Sequence, residues 1–164
     1  MTHDLGTVVL VTGAVGDPGQ RTFFLQTQSR DGIHTVKCEK SQVAALAEHL
    51  QRLLADLPAI AVTADLPTEL RPPLEPRFVL GTIGLAYDAD SDHLVIVLEE
   101  LVVADEDEPE DEELEHDGLR LELTRPAAAI FCRRALEIVA AGRPACRWCG
   151  GPMDPDGHAC PRMN

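Results

Sequence analysis

Aromatic side chains are scarce in this chain: four Phe, one Tyr and one Trp among 164 residues. Its core must therefore be filled by aliphatic side chains, and an apolar content of 45% supplies them. Positive charge is also short. Fourteen Lys and Arg face 28 Asp and Glu, a formal net charge of −14 that repels phosphate backbones and disfavours nucleic acid as a partner. No stretch approaches the roughly 20 apolar residues of a membrane span. No basic start leads into a long apolar run of the secretory kind. Familiar catalytic signatures are missing too: no Gly-x-Ser-x-Gly elbow, no His-Glu-x-x-His, and no His-x-Glu beside the cysteines as in zinc deaminases. These absences lead to the expectation of a cytoplasmic protein, and the reading leans away from an enzyme. Five cysteines, an odd number, suit a reducing compartment better than a disulfide framework.

What is present reads as an α+β chain. Thr7 to Val15 is rich in β-branched residues and predicts a strand. Gly13 to Gly19 predicts a turn. Its Val-Thr-Gly opening resembles a dinucleotide loop, but such a loop must open a helix, and Arg21 to Gln28 reads as a second strand. Arg30-Asp31-Gly32 predicts a hairpin turn, and Ile33 to Glu39 a third strand containing Cys38 as a buried or half-buried residue. Ser41 is a suitable helix N-cap. Val43, Leu46, Leu50, Leu53, Leu54 and Leu57 then follow at helical spacing, with His49 off the stripe. Pro58 to Pro76 holds five prolines and predicts a connection with a short helix near Thr68 to Leu70. The pattern then returns: strands over Arg77 to Tyr87, His93 to Val103 and Gly118 to Leu123, and a helix over Ala127 to Ala141, capped by Thr124 and holding Cys132 on its core face.

Two β-β-β-α repeats are therefore expected, sharing one core of antiparallel sheet and two helices. One half alone would leave a sheet face and a helix stripe exposed. The duplicated domain is expected over 1–142, with halves at about 5–58 and 76–142. Gly13-Ala-Val-Gly16 and Gly81-Thr-Ile-Gly84 are matching local patterns. An acidic loop over 104–117 interrupts the second half, with ten Asp and Glu between Asp105 and Asp117. Such charge density predicts disorder, and the plainest role for it is solubility rather than a lure for a basic partner.

The remaining residues, 143–164, read as a zinc-binding tail. Cys146 and Cys149 have the spacing that lets one turn aim both sulfurs at one ion. Gly150 and Gly151 supply positive φ or room for N–H groups to approach sulfur. His158 and Cys160, two apart, leave an extended segment by the same face. The four together predict a closed structural Zn²⁺ site, a small zinc-knuckle-like module. Pro152 and Pro155 argue against the helix that follows a redox Cys-x-x-Cys. A second polar cluster, Asp17, Gln20 and Arg21, could hold its own turn, or could bind an anion with the glycine N–H groups.

Three segments, Gly16-Asp-Pro-Gly-Gln-Arg-Thr-Phe-Phe-Leu-Gln26, Glu39-Lys-Ser-Gln-Val43 and Cys146-Arg-Trp-Cys-Gly-Gly-Pro-Met-Asp-Pro-Asp-Gly-His-Ala-Cys-Pro-Arg162, resemble the actinobacterial family called domain of unknown function 3090. The resemblance spans nearly the whole chain. It implies a cytoplasmic actinobacterial protein with a zinc-finger-like C-terminal end, in a neighbourhood of phosphate-handling proteins. The long acidic insertion departs from the family pattern. Three functions stay open from the residues: a non-catalytic binding or adaptor protein with a protein partner, an enzyme or phosphate-binding protein centred on Asp17, Gln20 and Arg21, and a nucleic-acid binder using Arg143, Arg147, Trp148 and Arg162 of the tail.

Overall fold

The structure, a computed structural model, describes residues 1–102, 116–153 and 157–163. Its strands are β1 (Thr2–Thr7), β2 (Val9–Val15), β3 (Thr22–Gln28), β4 (Ile33–Cys38), β5 (Pro76–Asp88), β6 (His93–Glu100) and β7 (Gly118–Thr124). The helices are α1 (Lys40–Ala55), after β4, and α2 (Arg125–Ala140), after β7. The predicted acidic loop lies outside the described residues except at its end. There Asp117 pairs with Arg77, and its backbone carbonyl accepts from the Glu100 N–H at 2.9 Å.

The strands form one seven-stranded sheet in the order β1-β7-β6-β5-β4-β3-β2. It is mixed, which corrects the antiparallel expectation. β1 runs parallel to β7, and β4 runs parallel to β5. The β4–β5 pairing follows from α1 and the proline-rich connection, which carry the chain over to begin β5 in the direction of β4. The predicted first strand, Thr7 to Val15, corresponds to β2, and β1 before it is not among the expected strands. Gly6, at φ +59°, and Val8, 5% exposed, mark the break between them; β1 pairs with β7 and β2 with β3. β1 carries one large apolar residue, Leu5, so no hydrophobic pattern marks it as a strand. Only Val8 separates β1 from β2, so the two margins of the sheet meet there and the sheet curls round on itself.

One core results. Leu25, Val36, Leu94, Ile96, Leu98, Leu119, Leu121 and Leu123 point inward at 0–1% exposure. They meet Val43, Leu46 and Leu50 of α1 and Ala128, Phe131 and Ala135 of α2. Each such aliphatic side chain contributes about 1.5–3 kcal/mol when fully buried. The helix stripes are where the spacing predicted them, although Leu53 and Leu54 are half-buried at the core margin. Two details differ at the start of α1. The N-cap is Glu39, not Ser41, and it forms a capping box in which the Gln42 side chain accepts from the Glu39 N–H at 2.8 Å. Gln42 also donates to the carbonyls of Leu80 and Gly81, so this cap ties α1 to β5. Thr124 caps α2 as expected, accepting from the Ala127 N–H at 3.3 Å.

The proline-rich connection has no helix at Thr68 to Leu70. Its backbone instead bonds to buried amides of β3. Gln26 donates to the Arg71 carbonyl and accepts from the Arg71 N–H, both at 2.9 Å, while Gln28 donates to the Glu69 carbonyl at 3.0 Å. Leu70 lies over Gly13, where an added Cβ would stand 2.5 Å from its Cδ1. This bonding draws the segment away from a helix, because the sheet supplies the partners its own turn would have used.

Candidate metal centre

Beyond α2 the chain has almost no core of its own, and its order comes from backbone bonds around sulfur. The Cys146 N–H donates to the Gly151 carbonyl at 2.7 Å, and the Gly150 N–H to the Cys146 carbonyl at 2.8 Å. Ala145 and Pro152 form an isolated antiparallel bridge. Gly150, at φ +74°, lets the chain turn back within four residues, a conformation that costs other residues about 1–2 kcal/mol. The Trp148 N–H then reaches the Cys146 Sγ, and the Gly151 N–H reaches the Cys149 Sγ, both at 3.4 Å. A Cβ on Gly151 would stand at 3.4 Å from that same sulfur, tight against it.

This knuckle meets the second pair of predicted ligands. Cys146, Cys149, His158 and Cys160 each offer one ligand atom, and all four atoms lie within 4.8 Å of one another. Cys146 and Cys160 are 4.0 Å apart at sulfur, and the Cys149 Sγ is 3.2 Å from His158 Nε2. A tetrahedral ion with metal–sulfur bonds of about 2.3 Å would hold its sulfurs about 3.8 Å apart, so the set fits such an ion. Cys146 and Cys160 are buried and the other two ligands half-buried. N–H groups of Cys149 and Trp148 hold the Cys146 thiol below its ordinary value, favouring the thiolate a metal binds. The four residues can therefore hold a metal ion, and the donor set is consistent with zinc.

The other cysteines are different in kind. Burial pushes the Cys38 thiol up to about 12 and the Cys132 thiol up to about 11. Both are core residues, as the sequence predicts, and neither has the thiolate character of a nucleophile. His49 is exposed, also as predicted.

The Asp17–Gln20–Arg21 cluster spreads out in the structure. The Gln20 N–H donates to the Asp17 carbonyl at 2.9 Å, closing the turn through backbone alone, and both residues are exposed. Arg21 points elsewhere. Its guanidinium lies 5.2 Å from the Phe23 ring centroid and donates to the Ile138 carbonyl at 3.5 Å, at the end of α2. It lines two cavities that neither Asp17 nor Gln20 reaches. Lys40 and Arg143 share one of these with it. The sequence points to Arg143 only as part of the basic tail and does not point to Lys40. They lie far apart along the chain, and nothing local joins either one to Arg21.

The tail also presents Trp148, 53% exposed, with the Arg147 guanidinium 5.1 Å from its ring centroid. Trp148, Met153 and Met163 line a cavity of about 580 Å³ beside the ligand cluster. No described helix is long and apolar enough to cross a membrane. A family profile described as "Protein of unknown function (DUF3090)" matches residues 5–160. No curated protein and no solved structure matches the chain.

Proposed function

Because the chain belongs to the DUF3090 family, whose function is unknown, the reading must rest on its own geometry, and we propose a non-catalytic cytoplasmic binding or adaptor protein with a structural zinc ion. One observation carries this: four ligand atoms gathered within 4.8 Å, three sulfurs and one imidazole nitrogen. Four protein ligands complete a tetrahedron and leave no position for a reacting water, the arrangement of structural rather than catalytic zinc. Bound zinc supplies roughly 10–16 kcal/mol in small modules, enough to order a tail that buries little apolar surface. Trp148 and Arg147 then stand on a rigid surface, suited to a protein partner because Trp and Arg are the side chains that dominate interface energies.

We read the body as a duplicated β-β-β-α unit. Supporting this, β5 pairs parallel with β4 near its start and antiparallel with β6 beyond, while the β1–β2 segment pairs parallel with β7 and then antiparallel with β3. Each half thus lends its first strand to the third strand of the other.

The test is photo-crosslinking in the native cell from a probe placed at residue 148 of the full-length protein. A discrete protein adduct is expected with the native tail and is lost in Cys149→Ser. Adducts unchanged by Cys149→Ser, or turnover of a small molecule by the purified protein, would contradict the proposal.

A further inference from the structure

Beyond the tail, three basic residues meet where the first turn, the start of α1 and the end of α2 come together. Gly142 lies at the centre. A Cβ there would stand 2.9 Å from the Lys40 Nζ and 3.6 Å from the Arg21 Nη2, so both cationic heads reach the same point. Arg143 lies over Gly19, with its Cζ and Nε each 3.1 Å from where a Cβ would be. These residues and Phe23 enclose a cavity of about 220 Å³. The glycines leave this space open, and a Cβ at either would press on the cationic ends that line it.

A structural role explains part of this. The last turn of α2 holds no basic residue of its own, and Arg21 supplies one by donating to Ile138. That single bond uses one of five donors on the guanidinium. It leaves unexplained why Lys40 converges on the same point, in a chain with twice as many acidic as basic residues. Arg21 and Lys40 have no carboxylate partner among the described residues. Like charges gathered around a cavity repel unless an anion lies among them.

Arg21 also lines a second cavity, of about 620 Å³, bounded on one side by Leu70, Pro72, Leu74 and Ile138. On another side it is bounded by Arg134, which pairs with Glu69 at 2.9 Å and Glu137 at 3.4 Å. The two spaces share the Arg21 guanidinium. The smaller suits a compact oxyanion; the apolar side of the larger suits an uncharged organic group, since the carboxylates on its other side are paired with Arg134. We propose that this is a binding site for an organic phosphate monoester, its phosphoryl group held by Arg21 and Lys40 beside Arg143 and its organic part against Leu70 and Leu74. Arg guanidinium pairs with phosphate through two parallel N–H bonds, and Lys adds a point charge.

Calorimetric titration of the full-length, metal-loaded protein with inorganic phosphate and with phenyl phosphate tests this. Phenyl phosphate is expected to bind at least tenfold tighter than inorganic phosphate. Lys40→Glu is expected to weaken it more than tenfold and Lys40→Gln less, while Asp17→Asn leaves it unchanged. Lys40 is an exposed side chain, so thermal melts of its variants should match the native protein. No binding of either compound, or binding that both Lys40 variants leave intact, overturns the proposal. Equal affinity for the two compounds overturns the role of the larger cavity.

Discussion

Replacing Gln26 by Leu tests whether the proline-rich connection is held by the sheet. Gln26 is fully buried. Its amide donates to the Thr35 Oγ1 at 3.0 Å and the Arg71 carbonyl at 2.9 Å, and accepts from the Arg71 N–H at 2.9 Å and the Gln28 Nε2 at 2.8 Å. Leu fills nearly the same space but satisfies none of the four partners. A buried polar group left without a partner costs about 1–3 kcal/mol. Arg71 is exposed as a residue, so its backbone groups can return to water if the segment lifts away. The amide of Gln28 and the hydroxyl of Thr35 are buried and cannot do so as easily. The expected loss is therefore about 3 kcal/mol. At about 2–4 °C per kcal/mol for a chain of this size, Tm should fall by about 6–12 °C. Limited proteolysis should cut between residues 58 and 75 well before the body unfolds. A change in Tm under 2 °C, with no new cleavage there, would refute the reasoning.

Further expectations follow from local geometry. Gly81→Ala would put a Cβ 2.8 Å from the Leu101 Cα and 3.0 Å from the Glu100 carbonyl oxygen, both backbone atoms, so urea melts should show a loss of about 1–3 kcal/mol. Gly84→Ala would meet nothing nearer than the Val97 Cβ at 3.5 Å, and its stability should stay within about 1 kcal/mol of the native protein. The Cys38 and Cys132 thiols, raised from 9.0 to about 12 and about 11, favour the neutral form in the fold. Their contribution is complete below pH 9 and is lost as pH rises toward 11–12, so the urea midpoint should drop between about pH 9 and 12, and Cys38→Ala should flatten that drop. Asp117 behaves oppositely. Hydrogen bonding to Arg77 holds its carboxyl below 3.8, so its contribution is present above that value and fades as pH falls further. Asp117→Asn should therefore flatten the acid limb of the same melts.

Helices, hairpins and the ligand cluster were legible because each depends on neighbours in sequence. The stripe from Val43 to Leu50, the Thr124 cap and the Cys146–Cys149 knuckle follow from spacing alone. Features that need two distant segments were not legible. β1, which no apolar pattern marks, depends on β7, more than a hundred residues on. The Glu39 cap wins over Ser41 because Gln42 can reach both the Glu39 N–H and the carbonyls of β5. The sequence groups Arg21 with Asp17 and Gln20, and the structure places it beside Lys40 and Arg143. Asp17 and Gln20 are its neighbours in sequence, whereas Lys40 and Arg143 are its neighbours in space.

The tail is the part whose shape depends most on something other than packing, and X-ray absorption at the zinc edge, with metal content measured on the same sample, tests it most directly. One zinc per chain is predicted, with three sulfurs at about 2.3 Å and one nitrogen at about 2.0 Å. Substoichiometric metal in protein purified without chelator, or a shell dominated by oxygen, would contradict the account.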